Sequence, residues 1–379
     1  MIFAVSKAHL FGLSAAVLNF NRVPEFLIAV CRRLAAVPCW HFFDDSGTAG
    51  VRLEAGSGQH FLNKCFEICG FKQKVSKHQP MAPSCLHLGI VNNFSRASED
   101  ICVLDPKEGR VARTVTKIDK AFDDNFLDPT EAASIRGDTV FLSATSFRKV
   151  IRGGLGALGR RQAESRGSSL TDDLRSCLNF LRHALTTWEP VHVSLTPSAD
   201  KPAILYVDAS FDLDLSADQS LPLHARCHGG LGALLILPDG SFHAYACEVP
   251  AEFWAALEPR DTQIIPAELV TPACVAFTAQ KLLQGRPLII FGDNLPAVCS
   301  SISGSTGKCD LQQIVSATHY AFWNLHCPWW MEWVPSELNP ADPLSRGKPS
   351  PYTPFVNRLL IPSWAYPSPS RDFDWSMKW

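Results

Sequence analysis

Five short apolar segments, with turn residues between them, constrain the fold of residues 199–347 more strongly than any other feature of this chain. Three predicted strands come first, and the last two alternate with helices. Pro238-Asp239-Gly240 predicts a hairpin turn between the second and third strands. This order predicts a mixed α/β fold with helices on the faces of one sheet. The predicted strands are Ile204–Ala209, Leu231–Leu237, Ser241–Val249, Leu288–Gly292 and Trp329–Val334.

The composition is that of a largely globular protein with no global preference for polyanions. The chain has 379 residues, of which 46% are hydrophobic, and its net charge is −2. A nucleic-acid site must therefore be a local basic patch. The 13 cysteines follow no disulfide framework, which indicates a reduced, intracellular protein, in the cytoplasm or the nucleus. Charged residues interrupt the apolar N-terminal segment, so we expect neither a signal peptide nor a membrane partner.

Four acidic residues lie in local contexts that suit metal binding, and for two of them, Asp208 and Asp293, a charge serves no packing purpose. Asp208 and Asp293 lie beside or at the end of almost wholly apolar strands, Glu268 lies on a predicted helix, and Asp342 starts a short one. Taken singly, each is ordinarily a turn, cap or solvated residue. A buried carboxylate costs free energy unless it meets a cation, and ligands bind at strand ends in such sheets. Together the four predict a site for a pair of hard divalent cations.

Five segments in a fixed order resemble the type 1 ribonuclease H domain, in the variety fused to retroelement reverse transcriptases. The resemblance covers roughly residues 199–347 and implies a ribonuclease H-like mixed five-stranded sheet with flanking helices. It places the family's four metal-binding acids on Asp208, Glu268, Asp293 and Asp342, which would hold two Mg²⁺ ions, with Mn²⁺ as an alternative. It also implies an RNA/DNA hybrid as the substrate. The segments are Tyr206-Val-Asp-Ala-Ser210, Gly229-Gly-Leu-Gly-Ala233, Ala267-Glu-Leu269, Phe291-Gly-Asp-Asn294 and Trp333-Val-Pro-Ser-Glu-Leu-Asn-Pro-Ala-Asp342.

Three polar residues beside these acids are candidate substrate contacts. Asn294 and Asn339 would hold the substrate or orient Asp342, and Ser210 would contact the nucleic-acid backbone or cap a turn. Many relatives carry a histidine in the loop before the last motif, whereas residues 334–339 contain none. Glu337 is a candidate substitute, and slow turnover is the alternative.

The region before residue 199 resembles part of a reverse transcriptase. Phe11–Val17 resembles a template-contacting motif, and Phe42-Phe43-Asp44-Asp45 resembles the turn that presents metal ligands in the palm. The resemblance predicts a partial α+β palm over residues 1–100 and a helical thumb or connection over 101–198. No aspartate precedes Asp44, and Glu25 is the only acid there. Because two-metal nucleotidyl transfer needs a full ligand set, Asp44 and Asp45 are predicted to be vestigial and the chain not to polymerise DNA.

Local patterns add expectations outside the nuclease-like region. Residues 26–36 have helical spacing, and 41–47 predict a tight strand–turn–strand. Helices are predicted from 128–131 onwards and over about 169–187. The glycine- and arginine-rich stretch 152–166 predicts a mobile basic loop, 190–201 a linker, and 348–379 an extended, partly disordered Pro/Trp-rich tail.

Three functions remain open at this point. The leading one is a Mg²⁺-dependent endonuclease that cuts the RNA strand of RNA/DNA hybrids, within a truncated retroelement polyprotein whose other parts are candidate partners. The second is a catalytically inactive nucleic-acid-binding remnant. The third is a DNA-cutting relative such as an integrase or resolvase, because fold alone does not exclude it. Residues 199–347 are expected to fold alone and residues 1–100 are not.

Overall fold

The computed structural model describes residues 14–54, 56–71, 74–145, 149–187, 189–196, 201–218 and 220–367. The chain divides into two compact units between Val103 and Leu104. No helix within the described ranges is long and apolar enough to cross a membrane. The predicted four-part division at residues 100, 198 and 347 stays a prediction.

The first unit is built around two packed helices. Its elements are α1 (Ser14–Ala35), β1 (Cys39–Phe42), β2 (Asp45–Thr48), α2 (Ser57–Ile68), β3 (Ser84–His87) and β4 (Ile90–Asn93). Leu27 and Ile28 of α1 share a small core with Leu62 and Phe66 of α2. The predicted turn is confirmed, since β1 and β2 pair antiparallel with Phe42 opposite Asp45. Helix α1 is longer than predicted, and residues 11–13 of the template-contacting motif lie outside the described residues.

The second unit contains most of the helices and the largest sheet. Strand β5 (Ile101–Pro106) crosses the division between the units. The helices are α3 (Arg110–Asp123), α4 (Pro129–Thr145), α5 (Leu155–Gln162), α6 (Asp172–Thr186), α7 (Ala251–Ala255), α8 (Ile264–Thr278), α9 (Gln280–Leu283), α10 (Leu295–Ser303), α11 (Cys309–Asn324) and α12 (Asp342–Ser345). The strands are β6 (Phe126–Leu127), β7 (Ser168–Ser169), β8 (Val191–Ser194), β9 (Ala203–Leu213), β10 (Cys227–Ile236), β11 (Phe242–Glu248), β12 (Leu288–Gly292), β13 (Trp329–Trp333) and β14 (Val356–Arg358).

The large sheet has the strand order β13-β12-β9-β10-β11-β14. Strands β9, β10 and β11 form an antiparallel meander, whereas β12 runs parallel to both β9 and β13. The mixed α/β class and the positions of the five predicted strands are confirmed. The sheet nevertheless has six strands and not five, because β14 adds to the outer edge of β11 in parallel.

The C-terminal segment is more ordered than predicted. Residues 356–358 pair with β11, and Leu359 and Trp364 are buried. This segment covers what would otherwise be an unpaired strand edge, which proteins tend to protect. Residues 356–365 are therefore more ordered than the predicted extended, partly disordered tail, and residues 368–379 lie outside the described part of the chain.

One hydrophobic core joins the helical region to the sheet. It extends along the chain from Ile118 of α3 to Ala365 and includes buried residues of α6, β9, α8 and α11. Polar contacts join α6 to α11 as well, since Gln313 Nε2 donates to Ser176 Oγ at 3.1 Å and His183 Nε2 lies 2.8 Å from Tyr320 Oη. Experiments on the sheet are therefore best done with the full chain.

The stretch 152–166, predicted to be a mobile loop, instead contains an ordered helix. Residues Leu155–Gln162 form α5, and Arg161 is only 2% exposed. Its guanidinium donates to the carbonyl oxygens of Leu127, Ser168 and Ser169 at 2.7–3.2 Å, and so holds the β6–β7 pair in place. The prediction is wrong because it assumed that the arginines are exposed. An arginine can be buried when its guanidinium donates hydrogen bonds to buried carbonyl oxygens of residues distant in sequence.

Replacing Arg161 by alanine is expected to destabilise the chain by about 3 kcal/mol, because three carbonyl oxygens lose their donor and a cavity remains. The neighbouring Arg160 is 58% exposed and pairs with Asp173, so Arg160→Ala is a matched control with an expected cost below about 1 kcal/mol. Urea unfolding of both variants measures the difference. Equal midpoints for the two variants would show that the Arg161 contacts do not stabilise the fold.

Candidate active site

Three of the four predicted acids come together beside the central strand of the sheet. Asp208 of β9, Glu268 of α8 and Asp293 after β12 each place a carboxylate oxygen within 4.8 Å of the others. Asp208 and Glu268 are 3% and 4% exposed. The Oδ1 atom of Asp293 is buried and has no hydrogen-bond partner. No other group of three potential metal ligands occurs in the described ranges.

The strand register explains how the two aspartates meet. Strand β12 runs parallel to β9 and pairs Phe291 with Tyr206, so two residues further on Asp293 is level with Asp208. Helix α8 packs on β9 and is buried almost all round, which brings Glu268 to the same place. Adjacent parallel strands and one helix thus converge on a single point.

Burial and mutual repulsion favour the protonated forms of two of these acids. Desolvation raises the pKa of Asp208 to about 7, with further increases from the charges of Asp293 and Asp342. A hydrogen bond from Ser345 and the charge of Arg346 oppose this increase. Desolvation, and then the charges of Asp208 and Asp293, raise the pKa of Glu268 to about 9. A bound divalent cation would remove both penalties by compensating the negative charge.

The metal-free protein is expected to lose stability as pH rises from about 4 to about 9. In this window the folded Asp208 and Glu268 keep protons that the unfolded chain has released, so the slope of the unfolding free energy against pH is negative. The loss should amount to several kcal/mol, because a change of one pKa unit corresponds to about 1.4 kcal/mol. Unfolding midpoints in EDTA at pH 5 and pH 8 measure it. Glu268→Gln should flatten the dependence and Mg²⁺ should restore stability at pH 8; an unchanged slope in the variant would refute this assignment.

Asp342 lies near the three acids without joining their group. It begins the short helix α12, and its Oδ1 accepts a hydrogen bond from Arg346 Nε at 2.9 Å. Its charge still acts on Asp208, so it is close to the cluster. The structure therefore brings together three of the four predicted ligands and holds the fourth on a neighbouring arginine.

A hydrogen-bond network fixes Asp208 against α12. The Ser345 hydroxyl donates to Asp208 Oδ2, and its oxygen lies 2.9 Å from the Asp342 carbonyl oxygen. Asn339 is buried, and its Nδ2 donates to the carbonyl of Val207 at 2.9 Å. Its Oδ1 accepts from the Ala341 amide at 3.1 Å. Asn339 therefore links β9 to the turn that carries Asp342, and its amide faces inward, while its predicted role in substrate binding or in orienting Asp342 stays a prediction.

Two glycines allow this helix to approach the sheet. A Cβ on Gly230 would come within 2.2 Å of the Ser345 carbonyl oxygen, and one on Gly232 within 2.3 Å of the Ser345 amide nitrogen. Ser210 reinforces the contact, because its hydroxyl donates to the Ser345 carbonyl at 2.7 Å and accepts from the Gly230 amide at 2.9 Å. The Ser210 hydroxyl is thus occupied by the protein itself.

The remaining predicted residues occupy peripheral positions. The Asn294 side chain caps α10 by accepting from the Ala297 amide at 3.2 Å. Glu337 is exposed in a turn that precedes Asn339. Asp44 and Asp45 are exposed on the two-stranded β1–β2 hairpin of the first unit. The contribution of these residues to substrate binding stays a prediction.

Sequence reasoning missed the roles of Ser345 and Arg346. Both follow Asp342 at helical spacing, which places them on the same turn, and this spacing was a usable signal. Replacing Ser345 by alanine should weaken divalent-cation binding by about 10-fold, because Asp208 loses the donor that orients it. Calorimetric titration with Mn²⁺ tests this, and unchanged affinity would show that Ser345 only supports packing.

The side chains suit a hard divalent cation. Carboxylate oxygens are the ligands that Mg²⁺ and Mn²⁺ prefer. A buried carboxylate oxygen without a donor, on Asp293, is costly unless an ion binds it, and the raised pKa values mark negative charge in need of compensation. The ion itself is not determined by the protein side chains.

Comparison with known proteins gives low similarity throughout. No family model matches the chain, and no curated protein matches it. Solved structures that resemble it include RNase H1 from the halophilic archaeon Halobacterium salinarum NRC-1, with 18% identity and a TM-score of 0.28 over 38% of this chain and 94% of that one. LC11-RNase H1 in complex with an RNA/DNA hybrid gives 13% identity and a TM-score of 0.28 over 38% and 95%.

A foamy viral protease-reverse transcriptase in complex with double-stranded DNA has 11% identity and a TM-score of 0.36. The match covers 84% of this chain and 49% of that one, so this chain spans about half the length of the viral protein. At these TM-scores and identities the similarities do not assign a function to this chain. The function proposed below is argued from the strand order and the side chains of the site.

Proposed function

We propose that this chain is a metal-dependent endonuclease of the ribonuclease H type, which cleaves the RNA strand of RNA/DNA hybrids. The observation that carries the proposal is the group of buried Asp208, buried Glu268 and partly exposed Asp293, whose carboxylate oxygens lie within 4.8 Å of one another. The sheet order, with three antiparallel strands followed by two parallel ones, supports it. The motif order over residues 199–347 supports it independently of the geometry.

Asp208, Glu268 and Asp293 would hold two Mg²⁺ or Mn²⁺ ions together with Asp342. When bound, such ions supply the charge that activates water and stabilises a leaving oxygen. The chain's own residues fix the ligands: Ser345 and Asn339 orient Asp208 and the turn before Asp342. Because Asp208 and Glu268 are buried on a rigid sheet and helix, their positions are preorganised and little rearrangement accompanies binding.

Substrate selection tests the proposal directly. An RNA/DNA hybrid combines an A-like groove with 2′-hydroxyls on one strand only, so shape and 2′-hydroxyl contacts distinguish it from DNA and from double-stranded RNA. We expect the full chain with Mg²⁺ to cut hybrid RNA and to leave single-stranded RNA, double-stranded RNA and double-stranded DNA intact. Preferred cleavage of double-stranded DNA would favour the integrase or resolvase type of activity and overturn the proposal.

We further propose that the chain is part of a retroelement polyprotein and does not polymerise DNA. Asp44 and Asp45 are exposed, and no third carboxylate groups with them in the described residues. Primer extension on an RNA template should give no product with this chain. Extension by the purified chain would contradict this part of the proposal.

One observation favours a second candidate, a nucleic-acid-binding remnant without nuclease activity. Asp342 pairs with Arg346 and stays outside the group of three acids. If that arrangement persists with substrate, the ligand set is incomplete. Hybrid binding that is unaffected by Mg²⁺ and gives no cleavage is the result expected of such a remnant.

A further inference from the structure

Two half-buried cations and an exposed tryptophan form a surface patch at one end of α10. Lys149 Nζ lies 4.8 Å from the centroid of the Trp330 ring, and Arg152 Nη1 donates to the Ser303 carbonyl at 3.2 Å. Trp330 is 47% exposed on the edge strand β13. These three residues, Lys149, Arg152 and Trp330, are called the basic edge patch below.

The helical region is packed closely against the sheet at this point. Gly304 ends α10 with φ 70°, and a Cβ at that position would lie 3.1 Å from the Lys149 Cβ. A Cβ on Gly153 would meet Ser316 Oγ of α11 at 2.1 Å. Residues 149–153 therefore contact α10 and α11 closely, and the two cations are held in place by packing.

Among the described residues, the two cations of the patch have no ion-pair partner, although the Glu332 carboxylate accepts a hydrogen bond from Trp330 Nε1 at the edge of the patch. In the described part of the chain, no carboxylate forms an ion pair with Lys149 or Arg152 at 4.0 Å or less. Lys149 is half-buried, and burial together with the nearby Arg152 charge lowers its pKa. Like charges held together at a half-buried position cost free energy until an anion binds them. The patch thus has the properties of an anion site.

The patch lies at a distance from the acids that a nucleic-acid strand can span. Trp330 pairs with Ile289, four residues before Asp293 along β12. At about 3.3 Å per residue, the separation along the strand is about 13 Å. A duplex strand carries one phosphate per ~3.4 Å of helix axis, so about four nucleotides cover it. A strand engaged at the acids therefore has phosphates within reach of both cations.

We propose that the basic edge patch binds the sugar–phosphate backbone of the RNA/DNA hybrid about four nucleotides from the cleavage site. This inference rests on the proposed function for the identity of the nucleic acid. The inference also explains how this chain could bind a polyanion although its net charge is −2 and the described part of residues 199–347 contains no basic helix. The cations would come from the helical region that precedes residue 199. Residues 104–198 would then contribute directly to substrate binding.

The test is hybrid binding by the full chain with Ca²⁺ in place of Mg²⁺, so that binding does not depend on cleavage. Fluorescence anisotropy would compare the wild type with the double variant Lys149→Gln/Arg152→Gln over a range of salt. We expect about 10-fold weaker binding and a salt slope reduced by roughly 0.9 for each phosphate that the variant no longer neutralises. The matched control is Lys281→Gln. Lys281 is exposed on α9, which precedes β12, whereas Asp293 follows β12.

Hybrid length and charge rescue make the test specific. A hybrid of about six base pairs fits over the acids without reaching the patch, so the double variant should bind it as the wild type does. Lys149→Arg should retain full binding of a longer hybrid. Equal affinity of the double variant and Lys281→Gln for the longer hybrid would overturn the inference. Cleavage in Mg²⁺ is measured separately. If the double variant cleaves the hybrid and binds it as tightly as the wild type, only the inference about the patch fails. If the double variant binds more weakly but the wild type does not cleave, only the proposed function fails.

Discussion

The Asp208→Asn variant is expected to lose cleavage of hybrid RNA by at least about 100-fold. Asp208 is central to the site, since it is 3% exposed, lies level with Asp293 on the adjacent strand and has a carboxylate oxygen within 4.8 Å of one on Glu268. Asparagine keeps the shape and one oxygen but removes the charge that a divalent cation requires. Divalent-cation binding should weaken along with cleavage.

The same substitution should stabilise the metal-free protein at neutral pH. Burial and the neighbouring acids raise the pKa of Asp208 from 3.8 to about 7, so this carboxylate lowers stability progressively between those two pH values, and the full loss is present at pH 8. A gain of about 1–2 kcal/mol at pH 8 in EDTA is expected. Loss of activity with increased stability separates a functional acid from a structural one.

Asp212→Asn is the matched control for both effects. Asp212 lies on the same strand, four residues further on, and is exposed. The control variant should cleave hybrids and unfold as the wild type does. If both variants kept full activity, Asp208 would not be a metal ligand and the assignment of the site would fail.

The Gly232→Ala variant is expected to reduce both stability and cleavage. The added Cβ would lie 2.3 Å from the Ser345 amide nitrogen and 2.7 Å from the Ala341 carbonyl oxygen, and both are backbone atoms that cannot rotate away. Helix α12 must therefore shift, with a cost of about 1–3 kcal/mol. The shift would displace Ser345 from Asp208, so cleavage should fall about 10-fold or more.

Gly137→Ala provides the comparison for this variant. Gly137 is exposed in the middle of α4, and a Cβ there would meet nothing within 4 Å. Alanine at that helix position should stabilise the chain by about 0.5–1 kcal/mol and leave cleavage unchanged. Urea unfolding and hybrid cleavage are measured for both variants. Wild-type behaviour of Gly232→Ala would show that α12 does not need this close approach to β10.

The parts of the fold that the sequence predicts are those set by local patterns. Apolar runs between turn residues predicted the positions of the five strands. Asp208 lies in β9 and Asp293 directly follows β12, and the register of these two strands aligns them. A carboxylate beside an apolar strand is informative because its burial must be compensated. Asp208 and Asp293 could therefore be predicted as candidate metal ligands from the sequence.

The parts that could not be predicted depend on contacts between distant residues. Helix α5 forms where glycine and arginine content predicts a loop, because Arg161 finds carbonyl oxygens at Leu127 and Ser168. Strand β14 forms because the edge of β11 lacks a partner, which nothing in residues 356–358 indicates. Asp342 was assigned from a motif, whereas its position depends on Arg346 and on the packing of α12 against two glycines.

Asp208, Glu268 and Asp293 are proposed to form the metal centre of a nuclease specific for hybrid RNA. The most direct measurement is a time course with the purified full chain and excess hybrid, in which the RNA and DNA strands carry different fluorophores. We expect Mg²⁺ to produce shortening of the RNA strand alone over several turnovers, and EDTA to stop it. A folded protein that binds the hybrid in Mg²⁺ and leaves both strands intact would contradict the account.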